Sequence, residues 1–155
     1  MVRNLITMFG LVSMVFGAGA ALAAVAYDAE LVPDLVIPHS GASAYGQSTL
    51  IVDDTATTFA LTVNFAGLDT PQTEAKLLWA AADSPGVELL TLPVGTPFAL
   101  TLPYTADIAE ALENGELAIQ IYSQDWPAGA IRGNFRFVTV GVDAATWSRV
   151  KALFQ

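Results

Sequence analysis

Large apolar residues alternate with small or polar residues along most of the chain after residue 26. The clearest run spans residues 58–65, where Phe, Leu, Val and Phe are separated by Ala, Thr and Asn. This alternation predicts a strand with one buried face. Similar runs, separated by Gly, Pro and Asn-Gly turn signals, predict further strands at 28–32, 48–53, 75–81, 87–92, 98–102, 117–121 and 131–137. Seven or eight short strands at this spacing favour an all-β fold of two packed antiparallel sheets.

Two helical patterns interrupt the strands. Thr105 can cap a short helix that ends at Asn114-Gly115. The second pattern, at residues 141–155, predicts a short amphipathic C-terminal helix beginning after Asp143. Its apolar face consists of Trp147, Val150 and Phe154. The cations Arg149 and Lys151 lie off that face.

Residues 1–26 form an apolar segment with two possible fates. There is no charge from Asn4 to Tyr27, and 24 residues of helix, at about 1.5 Å each, can cross a bilayer core of roughly 30 Å. Residues 5–26 can therefore form an uncleaved transmembrane anchor. The segment also resembles a signal peptide, with Arg3 at its start and a cleavage motif at Ala21-Leu22-Ala23 or Ala24-Val25-Ala26. Either fate exports the rest of the chain to the periplasmic or extracellular face.

Composition narrows the function classes. The 155 residues include no Cys, one His and fifteen Asp or Glu against six Lys or Arg, for a net charge of −9. These counts argue against disulfide scaffolds, zinc fingers and thiol catalysis, and the negative charge argues against nucleic-acid binding. Residues 27–155 carry 20 charged residues in 129, fewer than the usual quarter. We interpret this undercharged surface as one that a partner covers.

The residues that carry chemistry form no recognisable catalytic or metal-binding pattern. His39 is the only His and lies in a turn-like stretch. Asp53 and Asp54 precede a Thr as in a turn, without the spacing of a calcium loop. If the protein were a glycoside hydrolase, Glu116 and Asp125 would be candidates for its two catalytic carboxylates. We therefore expect no catalytic residue, no metal site and no cofactor.

Aromatic and basic residues are better candidates, as members of a protein interface. Tryptophan and tyrosine are enriched at interface anchors and at membrane surfaces. The charge distribution is also asymmetric, because four of the five basic residues beyond Asn4 follow Ile131. The candidate interface residues are Trp126, Trp147, Tyr122, Arg132, Arg136, Arg149 and Lys151. The alternative for the tryptophans is structural, with Trp79 in the core and the other two capping the sandwich.

Several short motifs resemble the chordin-type (CHRD) domain family over residues 27–140. They include Ala29-Glu30-Leu31, Leu50-Ile51-Val52-Asp53, Gly67-Leu68 and Gly115-Glu116-Leu117. The most specific is the run from Pro127 to Gly133, whose glycines suit a tight turn and a close backbone approach. The resemblance implies an antiparallel Greek-key β-sandwich of the immunoglobulin or superoxide-dismutase kind.

One departure from the family pattern limits what the resemblance implies. Many members carry three histidines at positions that here hold Lys76, Leu78 and Tyr122. The resemblance therefore implies the fold and not a metal site.

These observations lead to one preferred function and two alternatives. We expect a non-catalytic, exported β-sandwich that is anchored by residues 5–26 and serves as an accessory or structural subunit of a membrane-associated complex. Its C-terminal helix would lie on a partner or on lipid headgroups. The first alternative is a freely secreted or periplasmic binding module for a protein or a carbohydrate. The second is a hydrolase that uses Glu116 and Asp125.

Overall fold

The computed structural model describes residues 24–138, which form two antiparallel sheets. The strands are β1 (Val25–Leu31), β2 (Tyr45–Asp53), β3 (Thr58–Ala66), β4 (Gln72–Trp79), β5 (Val87–Leu92), β6 (Phe98–Pro103), β7 (Leu117–Ser123), β8 (Ile131–Asn134) and β9 (Arg136–Phe137). The first sheet has five strands in the order β6-β3-β2-β1-β9. The second has four, in the order β5-β4-β7-β8. The predicted all-β sandwich is thus confirmed.

The core lies between the two sheets and follows the alternation in the sequence. Strand β3 buries every second residue and exposes the residues between them. Strand β7 is buried on nearly its whole length, because other strands flank it on both sides and segments of chain cover its outer face. The largest buried apolar side chains are Phe59, Phe135, Leu31, Leu50, Leu61, Leu77, Ile108, Leu117, Ile119, Ile121 and Ile131.

A short helix, α1 (Ala106–Glu113), connects the two sheets between β6 and β7. The hydroxyl of Thr105 accepts a hydrogen bond from the backbone N–H of Ile108, which is the predicted cap. Gly115, just beyond the helix, has a φ of +69°, a value that suits the Asn-Gly stop signal. The helix buries Ile108, Ala111 and Leu112 against the core, so this element is also confirmed.

Two predicted boundaries need correction. The run 131–137 is two strands, because the chain passes from one sheet to the other at Phe135. Phe135 is buried whereas Phe137 is 60% exposed, so the two do not share one face of a strand. The first strand also begins at Val25 and not at Asp28, since Val25 and Ala26 pair with β2.

Both ends of the described chain lie at the same end of the sandwich. Strands β1 and β9 are neighbours, and the N–H of Val138 donates to the carbonyl of Ala26 at 3.0 Å. The β2–β3 turn and α1 lie at this end too, and we call it the terminal end. The β7–β8 turn, residues 124–130, marks the opposite end.

The predicted anchor or signal falls mainly on residues 1–23, and the predicted C-terminal helix on residues 141–155. Both lie outside the described residues. Among residues 24–138, no helix has the length and apolar character needed to span a bilayer.

Candidate functional site

The outer face of the five-stranded sheet carries exposed side chains on β2, β3 and β6. Two rows of side chains cross its centre from β2 through β3 to β6. One row contains Ile51, Ala60 and Thr101, and the other contains Thr49, Thr62 and Ala99. None of the six is charged, and all but the half-buried Thr49 are exposed. We call these six residues the uncharged face.

The uncharged face differs from an ordinary solvated sheet surface. Exposed strand positions usually carry charged side chains, which discourage association between sheets. Here, small apolar and hydroxyl side chains leave a surface that another protein can approach closely at little desolvation cost. Toward the terminal end, a concavity of about 630 Å³ is lined by Ile51, Ala60 and Thr101 together with the acidic residues Asp53 and Asp54, and it reaches Ala24. The geometry suits contact with a macromolecule better than enclosure of a small ligand.

The outer face of the four-stranded sheet brings together Lys76 and Tyr122, two of the positions where the family resemblance implied histidine. The ammonium of Lys76 lies 5.4 Å from the ring centroid of Tyr122. It forms ion pairs with Glu74 at 2.8 Å and with Glu88 at 3.0 Å. Hydrogen bonds from Lys76 to Glu74 and Glu88 raise its pKa. Leu78, the third position, is buried. An ion-pair cluster and an apolar side chain thus occupy the positions of the histidines.

Arg132 was predicted at an interface, and the structure corrects this. Its side chain has no exposed surface and donates to the carbonyls of Ser84 at 2.6 Å, Ala81 at 2.9 Å and Ala80 at 3.3 Å. Burial lowers the pKa of its guanidinium. The side chain points away from the core as the alternation predicted, but the β4–β5 loop covers it. Arg132 therefore fastens this loop to the sheet and is not available to a partner.

The other predicted interface residues fall in different places. Tyr122 is half-buried beside Lys76, and burial raises the pKa of its hydroxyl. Trp126 is half-buried in the β7–β8 turn, with its ring against Gly41. Arg136 is exposed at the edge of the five-stranded sheet. The structure therefore does not join these three into one patch. Trp147, Arg149 and Lys151 lie outside the described residues.

The carboxylates of the hydrolase alternative are far apart. Glu116 precedes β7 and Asp125 follows it, so the seven residues of the strand separate them by about 24 Å. Glycosidases hold their two carboxylates about 5–10 Å apart. Glu116 instead accepts a hydrogen bond from the indole N–H of Trp79 at 2.8 Å. The pair cannot act together on one glycosidic bond in this conformation.

The remaining candidate residues occupy turns. Asp53 accepts hydrogen bonds from the backbone N–H groups of Thr55 and Ala56, both at 3.0 Å, which confirms the predicted turn. His39 is exposed and follows a cis peptide bond between Ile37 and Pro38. Within the described part of the chain, no three His, Cys, Asp or Glu side chains come close enough to hold a metal ion.

The sequence did not point to the exposed aromatic residues Phe137 and Tyr45 or to the uncharged face. Phe137 packs edge-on against Tyr27, with ring centroids 5.8 Å apart, beside the point where the described chain ends. The sequence does contain a sign of the uncharged face, because the outward positions of β3 are Ala, Thr and Asn and none of them is charged. We used that alternation only to predict a strand.

The closing motif has the geometry that its glycines predicted. Gly129 has a φ of +128°, and a Cβ at Gly133 would lie 2.4 Å from the carbonyl oxygen of Glu30. The profile of the CHRD domain matches residues 27–135, more than two thirds of the chain. The chain belongs to the CHRD-domain family. Comparisons with curated proteins and with solved structures give no significant match. The CHRD domain thus accounts for all nine strands except the first two residues of β1 and the short edge strand β9.

Proposed function

We propose that this CHRD-domain protein is a non-catalytic, exported subunit of a membrane-associated complex, anchored by the predicted N-terminal segment from residue 5 to residue 24, since Val25 and Ala26 belong to β1. The observation that carries the proposal is the uncharged face. Six neighbouring side chains without a charge, on a sheet surface without a covering layer in the described residues, match what a buried protein contact requires. The return of β6 to pair with β3 supports the Greek-key arrangement expected of the family.

The position of the chain ends supports the anchoring part of the proposal. Residues 1–23 join the sandwich at Ala24, at the edge of the concavity on the outer face. A helix anchored in the bilayer would hold the terminal end of the sandwich near the membrane surface. The uncharged face runs away from that end along β2 and β3. It would therefore stand beside neighbouring membrane subunits, where a lateral contact can form.

A freely secreted binding module remains the alternative function. It uses the same face to bind a soluble protein or a carbohydrate, and it requires removal of the N-terminal segment. Intact mass measured on native protein separates the two, because cleavage after Ala23 removes about 2.3 kDa at roughly 0.1 kDa per residue. Our proposal expects the mass of the whole chain, 16.3 kDa, and extraction only with detergent. A water-soluble monomer that begins near Ala24 or Tyr27 would overturn it.

A charge placed on the uncharged face tests the subunit role. We expect Thr62→Arg to release the protein from its complex, seen as a shift to a smaller species on native gels of detergent extracts. The matched control is Thr73→Arg, since Thr73 is an exposed threonine of β4 in the other sheet. The control should remain in the complex. Equal behaviour of the two variants would contradict the assignment of this face.

A further inference from the structure

The terminal end of the sandwich has an excess of negative charge. The β4–β5 loop also lies at this end, because Trp79 at the end of β4 pairs with Leu117 at the start of β7. Six exposed carboxylates belong to the end of β2, the β2–β3 turn, the β4–β5 loop and α1. They are Asp53, Asp54, Asp83, Asp107, Glu110 and Glu113. Among residues 24–138, the ion pairs join Lys76 to Glu74 and to Glu88, on the outer face of the four-stranded sheet. The carboxylates of the terminal end thus have no cationic partner within the described residues.

An aromatic group lies beside these carboxylates. Tyr27 packs against Phe137, and Phe137 is 60% exposed although it belongs to a strand. Tyr104 lies at the same end, because its backbone N–H donates to the carbonyl of Thr57 in the β2–β3 turn at 2.9 Å. Burial, followed by Tyr27, Asp54 and Glu113, raises the pKa of its hydroxyl. Burial, and then Glu113 and Asp54, raise the pKa of Tyr27 as well. We call Tyr27, Tyr104 and Phe137 the terminal aromatic patch.

The chain itself supplies a segment with complementary properties. Residues 139–155 follow Val138, the last described residue, which is next to Phe137 in the chain. They contain one acidic residue, Asp143, and the cations Arg149 and Lys151. The predicted helix places Trp147 on an apolar face with Val150 and Phe154. Residues 139–142 reach about 13 Å when extended, and a helix of 13 residues is about 20 Å long, so the segment can cover both the patch and α1.

We propose that residues 141–155 fold back as an amphipathic helix onto the terminal end of their own sandwich. Trp147, Val150 and Phe154 cover the terminal aromatic patch, while Arg149 and Lys151 face the carboxylates of α1. A covalently linked segment docks at a high effective concentration, which favours it over a separate partner of equal affinity. The proposal does not depend on membrane anchoring, because it concerns a contact within the exported part of the chain.

Engineered cysteines test the contact, since the chain contains none of its own. The test variant combines Ser148→Cys with Asn114→Cys, next to α1. The control combines Ser148→Cys with Gln124→Cys, in the turn at the opposite end. Asn114 and Gln124 are both exposed amides, separated by β7 and thus by more than about 24 Å. The full-length chain in detergent micelles is treated with a bismaleimide that spans about 8–10 Å, a reach well below that strand length.

We expect at least a tenfold higher yield of internally crosslinked monomer in the test variant than in the control. Equal yields would overturn the proposal. A crosslink found only in dimers would also overturn it, and would assign the segment to a second copy of the chain. A second measurement uses vesicles with brominated lipids, which quench tryptophan fluorescence. The contribution of Trp147 is the difference between the original chain and Trp147→Phe. Quenching of Trp147 together with the absence of the internal crosslink would overturn the proposal and assign the segment to the membrane.

Charge reversal separates a specific contact from mere proximity. Adding Arg149→Glu and Lys151→Glu to the test variant should lower the crosslinking yield several-fold, because like charges then meet at α1. Adding Glu110→Lys and Glu113→Lys to that variant should restore the yield. Reversal without rescue, in a chain whose circular dichroism is unchanged, would remove α1 as the docking site. The Thr62→Arg test concerns the uncharged face, whereas the crosslinking test concerns the terminal end. Failure of the subunit proposal can therefore be distinguished from failure of the docking proposal.

Discussion

Arg132 holds the β4–β5 loop through three backbone carbonyls and has no contact with solvent. Arg132→Met keeps an unbranched side chain but removes the guanidinium donors, and leaves the carbonyls of Ser84 and Ala81 without this partner. We expect it to lower the free energy of unfolding by about 3–5 kcal/mol, measured by urea denaturation. Arg136→Met is the control, because Arg136 is exposed and a surface change costs within about 0.5 kcal/mol. Similar losses in both variants would contradict the clamp.

Gly133 allows β1 and β8 to approach closely. A Cβ at this position would lie 2.4 Å from the carbonyl oxygen of Glu30, which is backbone and cannot move aside. Gly133→Ala should therefore cost about 2–4 kcal/mol of stability, as overpacking of a rigid site does. Gly115→Asn should cost far less, because open space surrounds Gly115 and Asn tolerates its φ of +69°. Thermal unfolding of the two variants compares them, and an unchanged midpoint for Gly133→Ala would refute the steric argument.

Single residues show how far sequence patterns reach. The alternation correctly placed Arg132 on the side of β8 that faces away from the core. It could not show that the β4–β5 loop lies over that side, since this depends on contacts 48 to 52 residues away in the chain. The glycines of the closing motif were predictable, because tight turns and close approaches impose strict local requirements. Exposure of an outward side chain is a property of the whole fold.

The helix α1 depends on its N-cap. Thr105→Ala removes the acceptor for the N–H of Ile108 and should lower stability by about 1 kcal/mol. Thr105→Asp retains an acceptor and should leave stability close to that of the original chain. Denaturation curves of the two variants measure the difference. If both lose the same amount, the hydroxyl contributes through another contact.

Strand β1 constrains the processing of the N-terminal segment. Cleavage after Ala26 would remove Val25 and Ala26, which pair with Val52 and Ile51 of β2. Cleavage after Ala23 leaves β1 intact. We therefore predict that any processed form begins at Ala24, which N-terminal sequencing or intact mass can verify. A mature protein that begins at Tyr27 would show that the pairing of the first two residues is dispensable.

Strands and helices were predictable where the sequence next to them carries the signals that start and end them. Strand β5 matches the predicted run 87–92, and the prolines near β6 do lie beside an edge strand. The start of β1 was not visible, because Val25 and Ala26 continue the apolar composition of residues 1–24. The break at Phe135 was hidden for another reason. Alternation continues across it, although the chain changes sheets there.

The whole molecule concentrates charge in a way that the linear sequence does not show. The sequence revealed an excess of acidic residues before Arg132, but not that six exposed carboxylates gather at one end. The turns and α1 bring together residues from 53 to 113 at the same end as both ends of the described chain, residues 24 and 138. An anionic membrane surface would repel this end. A docked C-terminal helix with Arg149 and Lys151 would offset that repulsion, which links the two proposals without making either depend on the other.

Both ends of the described chain lie at the terminal end, and this determines how the sandwich is expected to be oriented at a membrane. If residues 5–24 span the bilayer, Asn114 lies near the lipid surface and Gln124 lies beyond it by roughly the length of β7, about 24 Å. Full-length chains in vesicles, with a donor dye on Asn114→Cys or on Gln124→Cys and an acceptor in the headgroup layer, measure this by energy transfer. We expect the higher transfer efficiency at Asn114→Cys. Equal efficiencies, or a higher one at Gln124→Cys, would mean that the sandwich lies on its side or inverted, and that the terminal end does not face the membrane.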